Sequence, residues 1–254
     1  MNELFFQAAS TLSRFGLLAV GLLALFLCHQ IFRVPFVVYR FGMLAWVVSV
    51  SVKFAISIPL NPPFLRYLSI HFPSSIVIFV FSLHVGLLTG IFEIFIPYVA
   101  SRFSPLPKYS VEQALAFGVA FGAIEAILLG VTAIAKSAAV PKGLLFASTI
   151  ERIAVIVIHT VCCYLLFTSV RLRRIRYLLA ASFIKTLLDG VAGWFHVFAP
   201  QSPDVRIKLI WLLEFYTVLM AVISAIYSLK IKGGYKSECS NREKLMAAPP
   251  EHQK

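Results

Sequence analysis

The chain has 254 residues, of which 59% are hydrophobic and 13% are charged, and its formal net charge is +12. Soluble globular proteins average roughly 45–50% apolar and about 25% charged residues, so this composition, with a mean hydropathy of +0.87, excludes an ordinary soluble domain. The basic residues are scattered through short polar segments and form no nucleic-acid recognition module, so no nucleic-acid partner is expected. The composition predicts an integral membrane protein whose first partner is the lipid bilayer.

The apolar residues fall into seven blocks, each close to the roughly 20 residues that cross a bilayer as a helix. The alternating segments of about ten residues that build a transmembrane β-barrel do not occur. The sequence therefore predicts an all-α, polytopic helical bundle of about seven transmembrane helices, with one transmembrane domain over residues 1–232. The predicted helices cover residues 5–28, 35–60, 74–100, 112–135, 150–170, 177–198 and 208–229.

Polar and proline-rich segments separate the apolar blocks. The prolines of "PLNPPFLRY" after the second block and of "SRFSPLPKYS" after the third predict helix ends and short loops. The last segment, residues 233–254, reads "GGYKSECSNREKLMAAPPEHQK". Its polar composition predicts a disordered tail.

The distribution of Lys and Arg among the loops predicts the orientation, because basic residues are retained on the cytoplasmic side. The stretch "RLRRIR" at 171–176, between helices five and six, is the strongest such signal, and the tail is also basic. The first and third loops add Arg33, Arg40, Arg102 and Lys108, whereas the other loops hold only Arg66, Lys136, Lys142, Arg206 and Lys208. This bias predicts a multi-pass protein of the plasma (inner) membrane with a cytoplasmic C-terminus.

Ionisable side chains inside the predicted helices are the main functional signal, because each costs at least about 2.5–3.5 kcal/mol at the membrane centre. Glu125, His159 and Asp189 lie near the middle of three different helices, and small residues before Glu125 and after Asp189 allow close helix approach. Lys185 lies four residues before Asp189 and therefore on the same helix face. We expect Glu125, His159 and Asp189 to converge in one polar cavity, and Lys185 to pair with Asp189.

Other ionisable residues have simpler sequence-level interpretations. Glu151 and Arg152 stand at the start of helix five and predict an interfacial pair. Lys53 lies close enough to its helix end for its ammonium group to reach the headgroups. Glu214 and His84 have no partner that the sequence indicates, so structural roles are predicted for both.

Three segments resemble the successive motifs of the YhfC family of intramembrane metallopeptidases: "ALAFGVAFGAIEAILLG", "ERIAVIVIHTVCCYLLFTSV" and "ASFIKTLLDGVAGW". That family is grouped with the type II CAAX prenyl proteases, the PrsW proteases and the scaffold subunit of gamma-secretase. The resemblance covers roughly residues 75–200. It implies peptide-bond hydrolysis within the membrane, with a membrane peptide or protein as the substrate.

The resemblance also implies site residues. In such proteases a glutamate acts as base for a water molecule, which makes Glu93 the candidate base. A catalytic zinc ion is coordinated by about three protein ligands. The resemblance implies that His159, Glu125 and Asp189 are ligands of a divalent metal such as zinc. Lys185, when charged, is no metal ligand but could stabilise an oxyanion. The implied catalytic set is therefore Glu93, Glu125, His159, Lys185 and Asp189.

The chain departs from the family pattern at four positions. Ile94 replaces the second of two paired glutamates, Pro97 an arginine, Phe121 a histidine in helix four, and Lys185 a histidine in helix six. One alternative is therefore a catalytically inactive membrane scaffold of the same fold. Another is a small proton-coupled transporter, since buried Glu, His, Lys and Asp could form a relay, although no inverted repeat is visible.

Overall fold

A computed structural model describes residues 2–102, 110–135, 142–199 and 202–247, and the side chains of residues 15–101, 110–135, 147–199, 202 and 205–231. Within these ranges the chain is all helical and contains no strand. The helices are α1 (Asn2–Phe32), α2 (Phe36–His71), α3 (Ser74–Arg102), α4 (Val111–Ala135), α5 (Lys142–Leu172), α6 (Ile175–Phe198) and α7 (Pro203–Ala247). Each of these seven is long and apolar enough to cross a membrane. The predicted fold class is confirmed.

Helix α2 does not end at the predicted residue 60. It continues through Pro59, Pro62 and Pro63 to His71, and Arg66 therefore lies in the helix rather than in a loop. Each proline removes one backbone donor, but in membrane helices neighbouring groups and local adjustments satisfy the freed carbonyls, so prolines inside these helices are tolerated. Pro97 is likewise inside α3. The proline signal used to place helix ends is thus weaker in a membrane protein than in a soluble one.

Helix α7 continues past the predicted end at residue 229 to Ala247. It therefore includes much of the segment for which the sequence predicts disorder, whereas residues 248–254 lie outside the described residues. The stretch "REKLMA" consists of strong helix formers, and intrinsic propensity favours the continued helix. The division into a transmembrane domain and a disordered tail stays a prediction.

Close helix contacts at glycines fix the register of the bundle. A Cβ atom on Gly118 of α4 would lie 2.6 Å from the Cα of Thr160 in α5, and one on Gly122 would lie 2.9 Å from the Cα of Ile156. Since real Cβ atoms do not approach other atoms this closely, only glycine allows α4 and α5 to pack at this distance. These contacts also show that α4 and α5 are antiparallel.

Helices α4 and α5 form the interior of the bundle. Inside the structure, 78% of the α5 span and 56% of the α4 span are buried, against 11% for α1. Neighbouring contacts join α2, α3, α6, α7, α5 and α4 into a ring, and α1 packs on the outside against α4 and α5. Helix α5 also contacts α3 and α6 across this ring, so side chains between these helices do not face lipid.

The orientation of the last two helices can be measured directly. We expect cysteines introduced at Arg173 and Lys244 to be labelled by an impermeant maleimide from the same, cytoplasmic side, because two membrane crossings separate them. The native Cys239 is first replaced by serine, while Cys28, Cys162 and Cys163 are buried and therefore shielded. Labelling from opposite sides would mean that α6 or α7 does not cross.

Candidate functional site

A cavity of about 560 Å³ lies inside the ring of six helices, and we call it the central cavity. Its lining comes from the C-terminal parts of α2, α4 and α6 and from the N-terminal parts of α3, α5 and α7. In an antiparallel bundle these parts meet in one half, nearest the α2–α3, α4–α5 and α6–α7 connections. The charged residues that line the central cavity are Lys53, Glu125, Glu151, Arg152, Lys185 and Asp189.

Glu125 is the centre of a first group of charged side chains. Its Oε1 accepts a hydrogen bond from Nη1 of Arg152 at 2.6 Å, and its Oε2 lies 3.0 Å from Nε2 of His159. Nη2 of Arg152 donates to Oε1 of Glu151. His159 is 1% exposed, whereas the side chain of Glu125 is 22% exposed. Glu125 therefore presents the accessible surface of this group to the cavity, and His159 supports it from behind.

Glu93 is the centre of a second group. Its Oε1 lies 2.6 Å from Nζ of Lys53, and its Oε2 lies 3.1 Å from Nζ of Lys185. Lys185 also contacts Oδ2 of Asp189 at 3.0 Å. Glu93 and Lys185 are both buried, so water does not solvate their charges. Each charge is instead compensated by the opposite charge of its partner. Glu93 lines a smaller cavity of about 210 Å³, which shares Lys53, Glu125, Lys185 and Asp189 with the central cavity.

The convergence expected from the sequence is present for its main members. Glu125 and His159 are in contact, and Asp189 lines the same cavity as Glu125 but contacts Lys185 instead of His159. The expected pairing of Lys185 with Asp189 is also present. His84 lies 3.2 Å from Oδ1 of Asn61, which lines the central cavity.

Two cations, Arg152 and Lys53, have partners on other helices that the sequence did not predict. Arg152, predicted to be interfacial, is buried and joins Glu125 to Glu151. Lys53, predicted to reach the headgroups, pairs with Glu93, which follows it by 40 residues. The seven-residue spacing of Arg152 and His159 could have indicated the first contact, because it puts both on one face of α5. No signal in the sequence indicates the second.

Three of the four positions that differ from the expected family motifs, Ile94, Pro97 and Phe121, are filled by packing residues. Ile94 is 2% exposed, and Pro97 is fully buried. The ring of Phe121 lies 5.0 Å from the imidazole of His159, measured between centroids. These three side chains therefore hold the helices around the charged groups and offer no ionisable atom to them.

The arrangement of the predicted ligands does not fit a zinc centre. Such a centre needs about three protein ligands, and in the part of the chain that the structure describes no three His, Cys, Asp or Glu side chains come together as a metal site. Nε2 of His159 faces Glu125, while Asp189 faces Lys185. Arg152 and Lys185 are cations beside the candidate carboxylates, and they would repel a divalent ion placed there.

Comparison with known proteins gives one relationship. The sequence model of the YhfC intramembrane metalloprotease family matches residues 15–143, just over half of the chain. Comparisons with curated proteins and with solved structures gave no match. The matched region includes the α2, α3 and α4 residues of the charged groups, Lys53, Glu93 and Glu125, whereas His159, Lys185 and Asp189 follow it. The chain is an integral, multi-pass membrane protein, and it belongs to the YhfC intramembrane metalloprotease family.

Proposed function

We propose that this protein is an intramembrane peptidase, related to the type II CAAX and PrsW proteases, that hydrolyses a peptide bond of a membrane substrate in the central cavity. The observation that carries the proposal is the contact between Glu125 and His159 on the cavity wall. A carboxylate oriented by a second group and open to a cavity is the arrangement that general-base catalysis needs. We also propose that it acts in the plasma membrane with its C-terminus in the cytoplasm, as the distribution of basic residues predicts.

The hydrolytic step follows from the residues of the chain. A water molecule beside Glu125 attacks the carbonyl carbon, and Glu125 takes one of its protons. The carbonyl oxygen becomes an oxyanion, to which Nζ of Lys185, the ion-pair partner of Glu93 and Asp189, donates a hydrogen bond. The C–N bond then breaks, and the proton on Glu125 passes to the leaving nitrogen. The products are a carboxyl group and an amine, and Glu125 is again a carboxylate.

Glu125 is a better candidate for the base than Glu93, the base that the family resemblance implies. Glu93 is 4% exposed, and two lysines hold its two oxygens. Glu125 also has both oxygens in contact, but a carboxylate offers about four lone-pair sites and this one faces the central cavity. The role assigned to Glu93 is therefore to hold Lys185, and His159 acts as a positioning residue for Glu125.

A cleavage assay on detergent-purified protein separates the two glutamates. We expect Glu125→Gln to lower the cleavage rate by about 10²–10⁴-fold, the usual contribution of a general base. Glu93→Gln is the matched control: it should lower thermal stability, because the buried Lys185 and the half-buried Lys53 lose a charged partner, while cleavage by the folded fraction persists. Loss of cleavage in Glu93→Gln at wild-type stability, with Glu125→Gln active, would contradict the assignment.

Metal analysis of the same preparations tests the chemistry of the step. If Glu125 and Lys185 alone carry the reaction, the purified protein should hold less than one equivalent of zinc. Chelators should then leave the cleavage rate unchanged. If the protein instead holds one equivalent of zinc and His159→Ala loses it, a metal lies beside Glu125. That result would contradict hydrolysis by Glu125 and Lys185 alone.

A second candidate function is a membrane scaffold without hydrolytic activity. The observation that favours it is the double pairing of Glu93 with Lys53 and Lys185, which links α2, α3 and α6 by ion pairs. A scaffold predicts no cleavage by the wild-type protein in a screen of membrane peptides, combined with a loss of stability for every variant that breaks these pairs. Cleavage that depends on Glu125 would reject it.

A further inference from the structure

The charged side chains of the central cavity are not equally accessible. The carboxylates of Asp189, Glu151 and Glu125 are 29%, 28% and 22% exposed. The three cations lie deeper: Lys53 is 15%, Arg152 is 10% and Lys185 is 3% exposed. The acidic side chains of Asp189, Glu151 and Glu125 are therefore more accessible than the three cations.

The charges of the cavity also do not balance. Four carboxylates, those of Glu93, Glu125, Glu151 and Asp189, are paired with only three Lys and Arg cations, so these seven side chains carry one net negative charge. An uncompensated charge inside a membrane is unfavourable in free energy. A bound group with one positive charge would compensate it.

We propose that the central cavity selects a substrate peptide that carries a Lys or Arg side chain at membrane depth, and that Glu151, Asp189 and Glu125 receive its charge. The inference rests on the proposed peptidase function and names its substrate class. Apolar side chains such as Phe54, Val85 and Leu213 line the same cavity and suit the apolar residues on either side of the basic one. At about 560 Å³ the cavity is of a size that holds a compact ligand.

Glu151 is the carboxylate whose role can be tested with least disturbance. Its partner Arg152 keeps a second contact with Glu125 at 2.6 Å, so Glu151→Gln does not leave a buried cation alone. Asp189 is less suitable, because its removal changes the surroundings of Lys185. Glu112, in the first turn of α4 and outside the central cavity, offers a matched Glu→Gln control.

The test is a binding measurement that does not depend on cleavage. Fluorescently labelled transmembrane peptides with Lys, norleucine or Glu at one central position are titrated with the full-length protein in neutral-lipid nanodiscs. We expect the Lys peptide to bind at least about tenfold more tightly than the norleucine peptide, which corresponds to about 1.4 kcal/mol of binding free energy. The Glu peptide should bind most weakly of the three. Glu151→Gln should bring the Lys-to-norleucine ratio close to one, while Glu112→Gln keeps it.

Each outcome separates this inference from the peptidase proposal. A Lys preference that Glu151→Gln removes, without any cleavage, supports the inference and rejects the peptidase. Equal affinity for the Lys and norleucine peptides overturns the inference, even if both are cleaved. A Lys preference that survives Glu151→Gln also overturns it, because the charge would then be received elsewhere.

Discussion

Replacing Lys185 by methionine is expected to lower the free energy of unfolding by about 3–5 kcal/mol, the cost of removing one partner from a buried ion pair. Nζ of Lys185 lies 3.0 Å from Asp189 and 3.1 Å from Glu93, and its side chain is 3% exposed. The variant leaves Asp189 without its cation and Glu93 with Lys53 alone. Thermal unfolding in detergent, followed by intrinsic fluorescence, measures the loss.

The double variant Lys185→Met with Asp189→Leu is the control for this explanation. It removes the stranded carboxylate and leaves the Glu93–Lys53 pair at 2.6 Å intact, so it should be more stable than Lys185→Met alone. Asp189→Leu by itself should cost least, because Lys185 keeps Glu93. A double variant that is less stable than both single variants would contradict charge compensation as the role of Lys185.

The same variants report on catalysis. If Lys185 donates to the oxyanion, Lys185→Met abolishes cleavage by the folded fraction. Lys185→His should retain or raise cleavage, because a histidine can also donate a hydrogen bond to the oxyanion. Lys185→His would then keep its cleavage rate even where its thermal stability falls. If Lys185 had only a structural role, cleavage would fall together with stability.

Replacing Arg152 by methionine is expected to cost about 3–5 kcal/mol of stability and to abolish cleavage. Its guanidinium contacts Glu125 and Glu151, so the variant removes the cation that two carboxylates share. Cleavage falls as well, because Glu125 loses the 2.6 Å contact that orients it, which leaves only His159. Thermal unfolding and the cleavage assay measure the two effects on one preparation.

Two further variants show that the shape of the guanidinium matters. Arg152→Lys has a single ammonium group in place of a planar fork that holds two carboxylates, so its stability should fall between those of the wild type and Arg152→Met. Glu151→Gln removes the second carboxylate and keeps the Arg152–Glu125 contact, so it should unfold close to the wild type. An Arg152→Met protein as stable as the wild type would show that these ion pairs do not stabilise the bundle.

The sequence by itself determined the number and type of elements. Seven apolar blocks of membrane-spanning length require helices, because in lipid each backbone group must be satisfied within its own segment. Local geometry was equally predictable: Lys185 and Asp189, four residues apart on one helix, pair as expected. The convergence of Glu125 and His159 also followed from the depth of each residue along its helix.

Only the tertiary structure decided which charges meet across helices. The pairing of Lys53 with Glu93 and of Arg152 with Glu125 depends on how each helix is rotated about its axis and shifted against its neighbour. Contacts such as that of Gly122 with Ile156 set this rotation and shift, and helices that are apolar on all sides give no periodic signal of it. Depth in the membrane is a property of one helix and can be counted along the chain, whereas a contact between helices is a property of the packed bundle.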